Sequence, residues 1–263
     1  MTDYLDVNDA QTQPGLRLVL TAGVPGPWSE SAKALFRHHG VSYLPVRQDG
    51  GRANPELLAW TRHRNAPIAL YNDEAPRVRW LELLDLAERL GLGPGNGNSQ
   101  GDTTAASLYP ADRTERMMMV GLINEIAGEN GFAWNARQLM LNATYQAVGD
   151  KAYKNPMLKD YQFDPDKVES VKASLNDFLA FLAKHLDTQP GHYLIGNQFS
   201  AADLYWAYFS NLLRPQAETI NPMPGFLRKS YELTATLIDP FDESLVTQRD
   251  WIFDQHLETP LTF

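Results

Sequence analysis

The sequence predicts an α/β domain followed by an all-α domain. Three observations carry this prediction. Strand-like and helix-like segments alternate through residues 16–92, and the periodic segments from residue 108 onward all have helical spacing. Between them, residues 93–107 contain four Gly and almost nothing able to enter a core, which is typical of a linker. We therefore predict a polar tail over 1–15, an α/β domain over 16–92, a linker over 93–107 and an all-helical domain over 108–263.

Composition excludes several protein classes. The chain has 263 residues, of which 43% are hydrophobic and 21% charged, so it is neither disordered nor fibrous. The net charge of -9 without a basic run argues against nucleic acid or an anionic membrane as a partner. The absence of Cys excludes disulfides and cysteine nucleophiles. No signal-peptide core and no bilayer-length apolar run occur, so we expect a cytoplasmic protein without membrane contact.

The elements of the first half follow from local signals. Pro27 suits a first helical position, and Gly40 suits a helix end. Asn54 and Pro55 form a second helix start, and Gly91 stops the last helix. In chain order the prediction is β-α-β-α-β-β-α, over 16–21, 27–39, 41–46, 55–60, a hairpin of 68–71 with 77–79, and 80–90.

The second half is predicted from helical periodicity. Apolar residues at positions 119, 122, 123 and 126 have the spacing of one buried helix face. Similar spacing predicts further helices over 132–148, 168–182 and 245–256. Residues 204–213 are apolar nearly all round, which indicates a central buried helix.

A capping box precedes that central helix. In Phe199-Ser200-Ala201-Ala202-Asp203-Leu204, the side chains of Ser200 and Asp203 can each accept a hydrogen bond from the other residue's backbone N–H. Phe199 and Leu204 occupy the two positions of a hydrophobic staple. This box, directly after Tyr193-Leu194-Ile195-Gly196, resembles the helical domain of glutathione transferases. In that family the motif has a structural role in the domain core.

The first half resembles the thioredoxin-like glutathione-binding domain of the same family. Ala66-Pro67 matches the position of the family's cis-proline, which implies that the Ala66 backbone binds the cysteinyl part of glutathione. Pro27-Trp28 resembles the start of the family's first helix. Trp28 either covers a ligand or packs as a core residue.

The functional positions depart from the family pattern. Gly26 stands where many members have the Ser or Cys that activates the glutathione sulfur. Ser29 is the nearest hydroxyl, and it is either a catalytic donor or a solvated first-turn residue. Arg79-Trp80 stands where the family has an acidic or Gln residue followed by Ser, the pair that holds the γ-glutamyl carboxylate. Arg79 either binds that carboxylate or is an exposed strand residue, and the helix start at Trp80 offers backbone N–H groups.

Several other side chains carry weaker signals. Met117-Met118-Met119 forms either a hydrophobic substrate surface or, at least for Met119, part of the core. Glu125 and Glu129 have no His at ligand spacing, so we expect an exposed acidic face and no metal. His38-His39 suits a helix end through the dipole. Arg62-His63-Arg64 forms a small basic spot before the cis-proline position.

The resemblance implies a function. We expect a glutathione transferase-like enzyme that binds glutathione as co-substrate in the first domain and a small hydrophobic electrophile between the domains, and that forms a homodimer. The candidate catalytic residue is Ser29, and the candidate binding residues are Trp28, Ala66, Pro67, Arg79 and Trp80. The alternative is a non-catalytic ligand-binding or protein-interaction protein on the same scaffold, which Gly26 and Arg79-Trp80 favour.

Overall fold

The computed structural model describes residues 2–92 and 106–263, which divide into two compact units. The first unit runs to Leu108 and includes Leu261–Phe263, and the second spans Tyr109–Pro260. The first contains strands and helices and the second contains helices, so the predicted α/β plus all-α fold class is confirmed. The linker predicted over 93–107 lies almost wholly outside the described residues, so its boundaries stay a prediction.

A three-stranded mixed sheet forms the centre of the first unit. Its strands are β1 (Leu16–Thr21), β2 (Leu44–Gln48) and β3 (Ile68–Tyr71), arranged in the order β2-β1-β3. The central strand β1 runs parallel to β2 and antiparallel to β3, with Val19 opposite both Val46 and Ile68. All three of these side chains are fully buried, so the sheet carries one face of the core.

The predicted hairpin is reduced to one bridge. Both backbone groups of Arg77 bond to those of Ala69 at 2.9 Å, and pairing stops there. The next two N–H groups, on Val78 and Arg79, donate to the Glu82 carboxylate at 3.0 and 3.1 Å. A fourth strand therefore does not form, because these N–H groups bond to a side chain in the first turn of the following helix instead of to a neighbouring strand.

Among its described residues, the first unit has four helices: α1 (Val7–Gln11), α2 (Pro27–His38), α3 (Pro55–Thr61) and α4 (Trp80–Leu92). Helix α1 corrects the prediction of a polar tail. Ala10 is fully buried in the cluster around the sheet, and Leu5 bridges to Val46 at the sheet edge. Five residues are too few to show helical periodicity in a sequence.

The two ends of the chain meet on helix α2. The Lys33 ammonium donates to the Thr262 carbonyl at 2.5 Å, and the Thr2 hydroxyl donates to the same carbonyl at 3.4 Å. Lys33 also pairs with Glu30 at 2.7 Å, and both side chains are only 3% exposed. Burial raises the pKa of Glu30, while Lys33 counteracts that effect. The terminal residues thus shield a buried ion pair from water.

The second unit is helical throughout its regular structure. Its helices are α5 (Arg113–Ala127), α6 (Phe132–Val148), α7 (Pro156–Asp160), α8 (Val168–Asp187), α9 (Ala201–Phe209), α10 (Gly225–Leu237) and α11 (Ser244–His256). Short 3-10 turns span Gly149–Lys154, Pro165–Lys167 and Ser210–Leu212. Helices α7 and α10 were not predicted. Within the described ranges, no helix has both the length and the hydropathy of a membrane span.

The capping box at the start of α9 is confirmed. Asp203 has no exposed surface, and its carboxylate accepts from the Ser200 N–H at 3.0 Å and from the Ser200 hydroxyl at 2.9 Å. Its other oxygen accepts from the Leu194 N–H at 2.7 Å and from Gln248 at 3.2 Å, two partners that the sequence did not predict. Burial raises the pKa of Asp203 to about 7, although these hydrogen bonds favour the carboxylate.

Candidate functional site

The start of α2 is open and unstrained. Gly26 is the N-cap with φ -69° and ψ 127°, and Pro27 is the first helical residue. A Cβ added to Gly26 would meet no atom within 4 Å. Glycine is therefore required here neither by a left-handed backbone nor by close packing. The outward N–H groups of a helix start and the helix dipole favour a negative charge at this point.

The Ser29 hydroxyl is built into the fold. Ser29 is 3% exposed, and its oxygen accepts from the Thr21 N–H at 3.2 Å. The solvated alternative is therefore wrong, because the side chain joins α2 to the end of β1. The catalytic role of Ser29 stays a prediction. Trp28 is half-buried, which leaves both of its interpretations open.

A chain of hydrogen bonds continues from Ser29 to the loop before Pro67. The Thr21 hydroxyl donates to the Gln48 side-chain carbonyl at 2.8 Å, and the Gln48 amide donates to the Arg64 carbonyl at 3.2 Å. Asn54 donates to the same carbonyl at 3.2 Å. Gln48 is only 2% exposed, so these bonds lie in a protected environment. The network fixes the start of α2 and the loop before Pro67 within one unit.

The Ala66–Pro67 peptide bond is cis, as the resemblance implied. A cavity of about 410 Å³ lies beside it. The residues that line this cavity are Leu58, Arg62, His63, Arg64, Asn65, Ala66, Pro67 and Val78. The structure therefore brings the basic spot and two of the predicted binding residues to one cavity. Whether these residues bind glutathione stays a prediction.

The backbone just before α4 is already paired. The Glu82 carboxylate accepts from the N–H groups of Val78 and Arg79, so these donors are not available to a ligand. Burial raises the pKa of Glu82, but the two backbone hydrogen bonds outweigh that effect and lower it. Arg79 itself is exposed and Trp80 is half-buried. An anion at this position would therefore meet the Arg79 guanidinium but not these two N–H groups. Whether the first-turn N–H groups of α4 bind it stays a prediction.

Sequence reasoning missed Glu82 although a signal was present. Glu82 follows Arg79 by three residues, and the Leu83 N–H bonds to the Arg79 carbonyl at 3.0 Å, which makes Arg79 the N-cap. A Glu at the third helical position commonly reaches back to the N-cap N–H. Gln48 had no comparable signal, because its role depends on contacts with residues distant in the sequence.

The weaker signals have separate outcomes. Met119 is fully buried and belongs to the core, whereas Met117 and Met118 are 70% and 46% exposed. Glu125 and Glu129 are exposed, as expected for an acidic face. In the residues that the structure describes, no group of three or more His, Cys, Asp or Glu side chains is arranged to hold a metal ion.

His39 has a structural role beyond its favourable interaction with the helix dipole. It is buried, and its Nε2 lies 3.0 Å from a Glu88 carboxylate oxygen. Glu88 also accepts from the Ser107 hydroxyl at 2.6 Å and the Leu108 N–H at 2.7 Å. Burial raises the pKa of Glu88, but the hydrogen bonds from His39, Ser107 and Leu108 lower it overall. These contacts fix Ser107 and Leu108, where the chain leaves the first unit, and place no group in the cavity.

Comparison with known proteins gives one family match. Residues 151–242 match the family described as glutathione S-transferase, C-terminal domain. No curated protein matches the chain by sequence.

Solved structures agree with this match over nearly the whole chain. A glutathione transferase family member from Pseudomonas fluorescens, with two glutathione bound, is 15% identical with a TM-score of 0.61, covering 97% of this chain and 98% of that one. The β-etherase LigF from Sphingobium is 17% identical, also at 0.61, covering 92% and 96%. A glutathione S-transferase from Methylobacillus flagellatus with bound glutathione is 9% identical at 0.59, covering 91% and 95%. At these identities the similarity concerns the fold.

Proposed function

Because the chain carries a glutathione S-transferase C-terminal domain and has the fold of that superfamily, we propose that it is a glutathione transferase-like enzyme. It would conjugate or transfer glutathione, as co-substrate, to a small hydrophobic electrophile. Two of the similar structures contain glutathione, which supports this co-substrate.

The observation that carries this proposal is the hydrogen-bonded connection between Ser29, Thr21, Gln48 and Arg64. It fixes the start of α2 relative to the loop that ends in cis-Pro67. A ligand that contacts both would meet a preorganised site and would order few protein groups on binding. This is the property that a binding site for an extended peptide thiol requires.

In the proposed complex the peptide lies against Ala66 and its sulfur lies at the start of α2. The backbone of Ala66 pairs with the cysteinyl part, and Trp28 covers the ligand. Arg79 binds the γ-glutamyl carboxylate through its forked N–H donors, next to Trp80.

The chemistry requires a thiolate. The helix start lowers the pKa of the bound thiol, whose proton passes to water. The thiolate then attacks the electrophilic carbon, a C–S bond forms, and the leaving group departs with its electron pair. Backbone N–H groups near Pro27 and Trp28 are favoured as donors over Ser29, because the Ser29 oxygen is buried and already bonded to the Thr21 N–H.

The alternative is a non-catalytic ligand-binding or protein-interaction protein. Two observations favour it: Gly26 supplies no side-chain donor to a sulfur, and Glu82 takes backbone donors at the start of α4. A binding protein would retain affinity for glutathione without accelerating conjugation.

Calorimetric titration with glutathione and with S-hexylglutathione tests the proposal. We expect saturable binding of both, with tighter binding of the hexyl derivative because its chain buries apolar surface. Absence of binding would refute the glutathione site. Binding without any rate above the uncatalysed reaction, across aryl halides, epoxides and aryl ethers, would favour the alternative.

We further propose a cytoplasmic homodimer. The exposed side chains of Met117 and Met118 supply apolar surface on α5 that a second subunit could bury. Light scattering at micromolar concentration should give twice the chain mass of 29.6 kDa. A single-chain mass would refute the dimer.

A further inference from the structure

The second unit has a cavity in the connection between α6 and α8. Its volume is about 630 Å³, within the range of about 300–1,000 Å³ that is usual for small-molecule sites. The residues that line it all lie between Tyr153 and Lys167, so one continuous segment builds the cavity. Of the described residues that we propose for glutathione binding, none lines it.

Part of the cavity lining is aromatic. Phe163 is buried, its ring centroid lies 6.4 Å from that of Tyr153, and both residues line the cavity. The Tyr145 ring packs against these two rings, with centroid distances of 5.6 Å to Phe163 and 6.0 Å to Tyr153. The three rings hold one another in place, yet Tyr153 is 47% exposed. A fixed and exposed ring is a stacking surface for a further aromatic group.

The backbone that carries these side chains is held in place by hydrogen bonds. The Phe163 N–H donates to the Leu158 carbonyl at 2.8 Å, and both side chains belong to one buried cluster of the unit. The Asp164 carboxylate accepts from the Asp166 N–H at 3.0 Å, and the Asp164 carbonyl accepts from the Lys167 N–H at 3.1 Å. The cavity is therefore preformed, so a ligand would order few protein groups on binding.

The charged side chains of the cavity leave an excess of positive charge, although the net charge of the chain is -9. Lys159, Lys167 and Asp164 line the cavity. The Lys167 ammonium lies 3.6 Å from the Asp164 carboxylate, so these two charges offset each other. Lys159 is exposed, and among the described residues no ion pair or hydrogen bond involves its ammonium group. The charge of Lys159 is therefore available to an anionic ligand.

We propose that this cavity binds a small aromatic carboxylate, whose ring stacks on Tyr153 and whose carboxylate pairs with Lys159. A purely apolar ligand would gain nothing from the Lys159 charge, and an inorganic anion would gain nothing from the Tyr153 ring. A ligand that carries both groups uses the whole cavity. Because the site lies within the second unit, it would exist whether or not the first unit binds glutathione.

Calorimetric titration with 2-naphthoate and with its neutral amide, 2-naphthamide, tests the charge. The wild type should bind the carboxylate about threefold to tenfold more tightly than the amide, between the effects of an exposed ion pair and of a charge-assisted hydrogen bond. Lys159→Gln should bind the two probes alike. Lys154→Gln is the matched control, since Lys154 is an exposed lysine of the same connection that does not line the cavity, and it should keep the preference. Added salt should reduce the preference of the wild type.

Tyr153→Leu tests the aromatic surface. Leucine keeps an apolar side chain without a ring face, so the affinity for both probes should fall by about twofold to tenfold. Tyr153 and Lys159 are both exposed, so the free energy of unfolding in urea should match that of the wild type. If Tyr153→Leu does not fold, Lys159→Gln still decides whether this cavity holds the carboxylate.

Three results would overturn the site. The wild type would bind no 2-naphthoate, or Lys159→Gln would bind it as the Lys154→Gln control does, or saturating S-hexylglutathione would displace it. Displacement would place the probe where the proposed function places glutathione and its electrophile. The titrations of the two naphthalene probes contain no glutathione, so their outcome leaves the proposed function to its own test.

Discussion

Gly26→Ser should convert a weak conjugating activity into a stronger one. The substitution places a hydroxyl at the N-cap of α2, beside the proposed position of the sulfur. The backbone already has the extended conformation that an N-cap Ser adopts, with φ -69° and ψ 127°, and the new Cβ meets no atom within 4 Å. Stability should therefore change by only about a few tenths of a kcal/mol, since Ser and Gly are both good N-cap residues.

The size of the expected increase in rate follows from the effect of a single hydrogen-bond donor on catalysis. Removing a single oxyanion-type donor from an enzyme costs roughly 10²–10³ in rate. Because the introduced hydroxyl would also accept from first-turn N–H groups, we expect a gain smaller than that range, about tenfold to hundredfold. The same interaction energy should lower the kinetic pKa of bound glutathione by about one to two pH units.

Initial rates with an aryl halide at saturating glutathione, followed from about pH 6 to 9, measure both effects. Gly26→Ala is the matched control, because it adds the same Cβ without the hydroxyl. If Gly26→Ser binds glutathione but is no faster than Gly26→Ala, then Gly26 is not a vacated donor position, and the placement of the sulfur at this helix start is wrong.

The other predictions concern single side chains. Ser29→Ala should lower stability by about 1–3 kcal/mol in urea unfolding, because the Thr21 N–H loses its acceptor, with conjugation nearly unchanged; a rate loss near 10² would instead make Ser29 a donor. Arg79→Ala should weaken glutathione binding by roughly 1.5–3 kcal/mol in calorimetry, and an unaltered affinity would reject its assignment. Asp203 keeps a proton in the folded state up to about pH 7, but ordinarily loses it near 3.8. The stabilisation by protonated Asp203 is therefore complete below about pH 4 and is lost as the pH rises through 7. The free energy of unfolding of the wild type, relative to that of Asp203→Asn, should fall by up to about 4 kcal/mol across that window. A difference that stays constant with pH would contradict the raised pKa.

The sequence predicted the elements whose signals are local. Three features could be predicted because each depends on residues within one or two helical turns. They are the helix that begins at Pro27, the capping box of Ser200 and Asp203, and the buried helix face around Met119. The cis bond at Pro67 was implied by resemblance alone. Such signals are strong when a residue's physical role is decided by its neighbours in the chain.

Features that depend on distant residues were not predictable. The burial of Ser29 depends on Thr21, and the fixed loop at Arg64 depends on Gln48. The fourth strand does not form, although strand propensity favoured it, because the Glu82 carboxylate accepts from backbone N–H groups that would otherwise pair in the sheet. The candidate site is assembled from such contacts, so the sequence could name its residues without showing which of them have available donors.

The contact between Thr262 and α2 has a consequence for expressing parts of the protein. Residues 261–263 belong to the first unit, so the second unit is inserted within it and is covalently connected at both of its ends. A fragment ending at Leu108 would lack the Thr262 carbonyl that accepts from Lys33, and it would expose the Glu30–Lys33 pair to water. Expression of the first unit alone therefore calls for a graft of residues 261–263 onto the fragment.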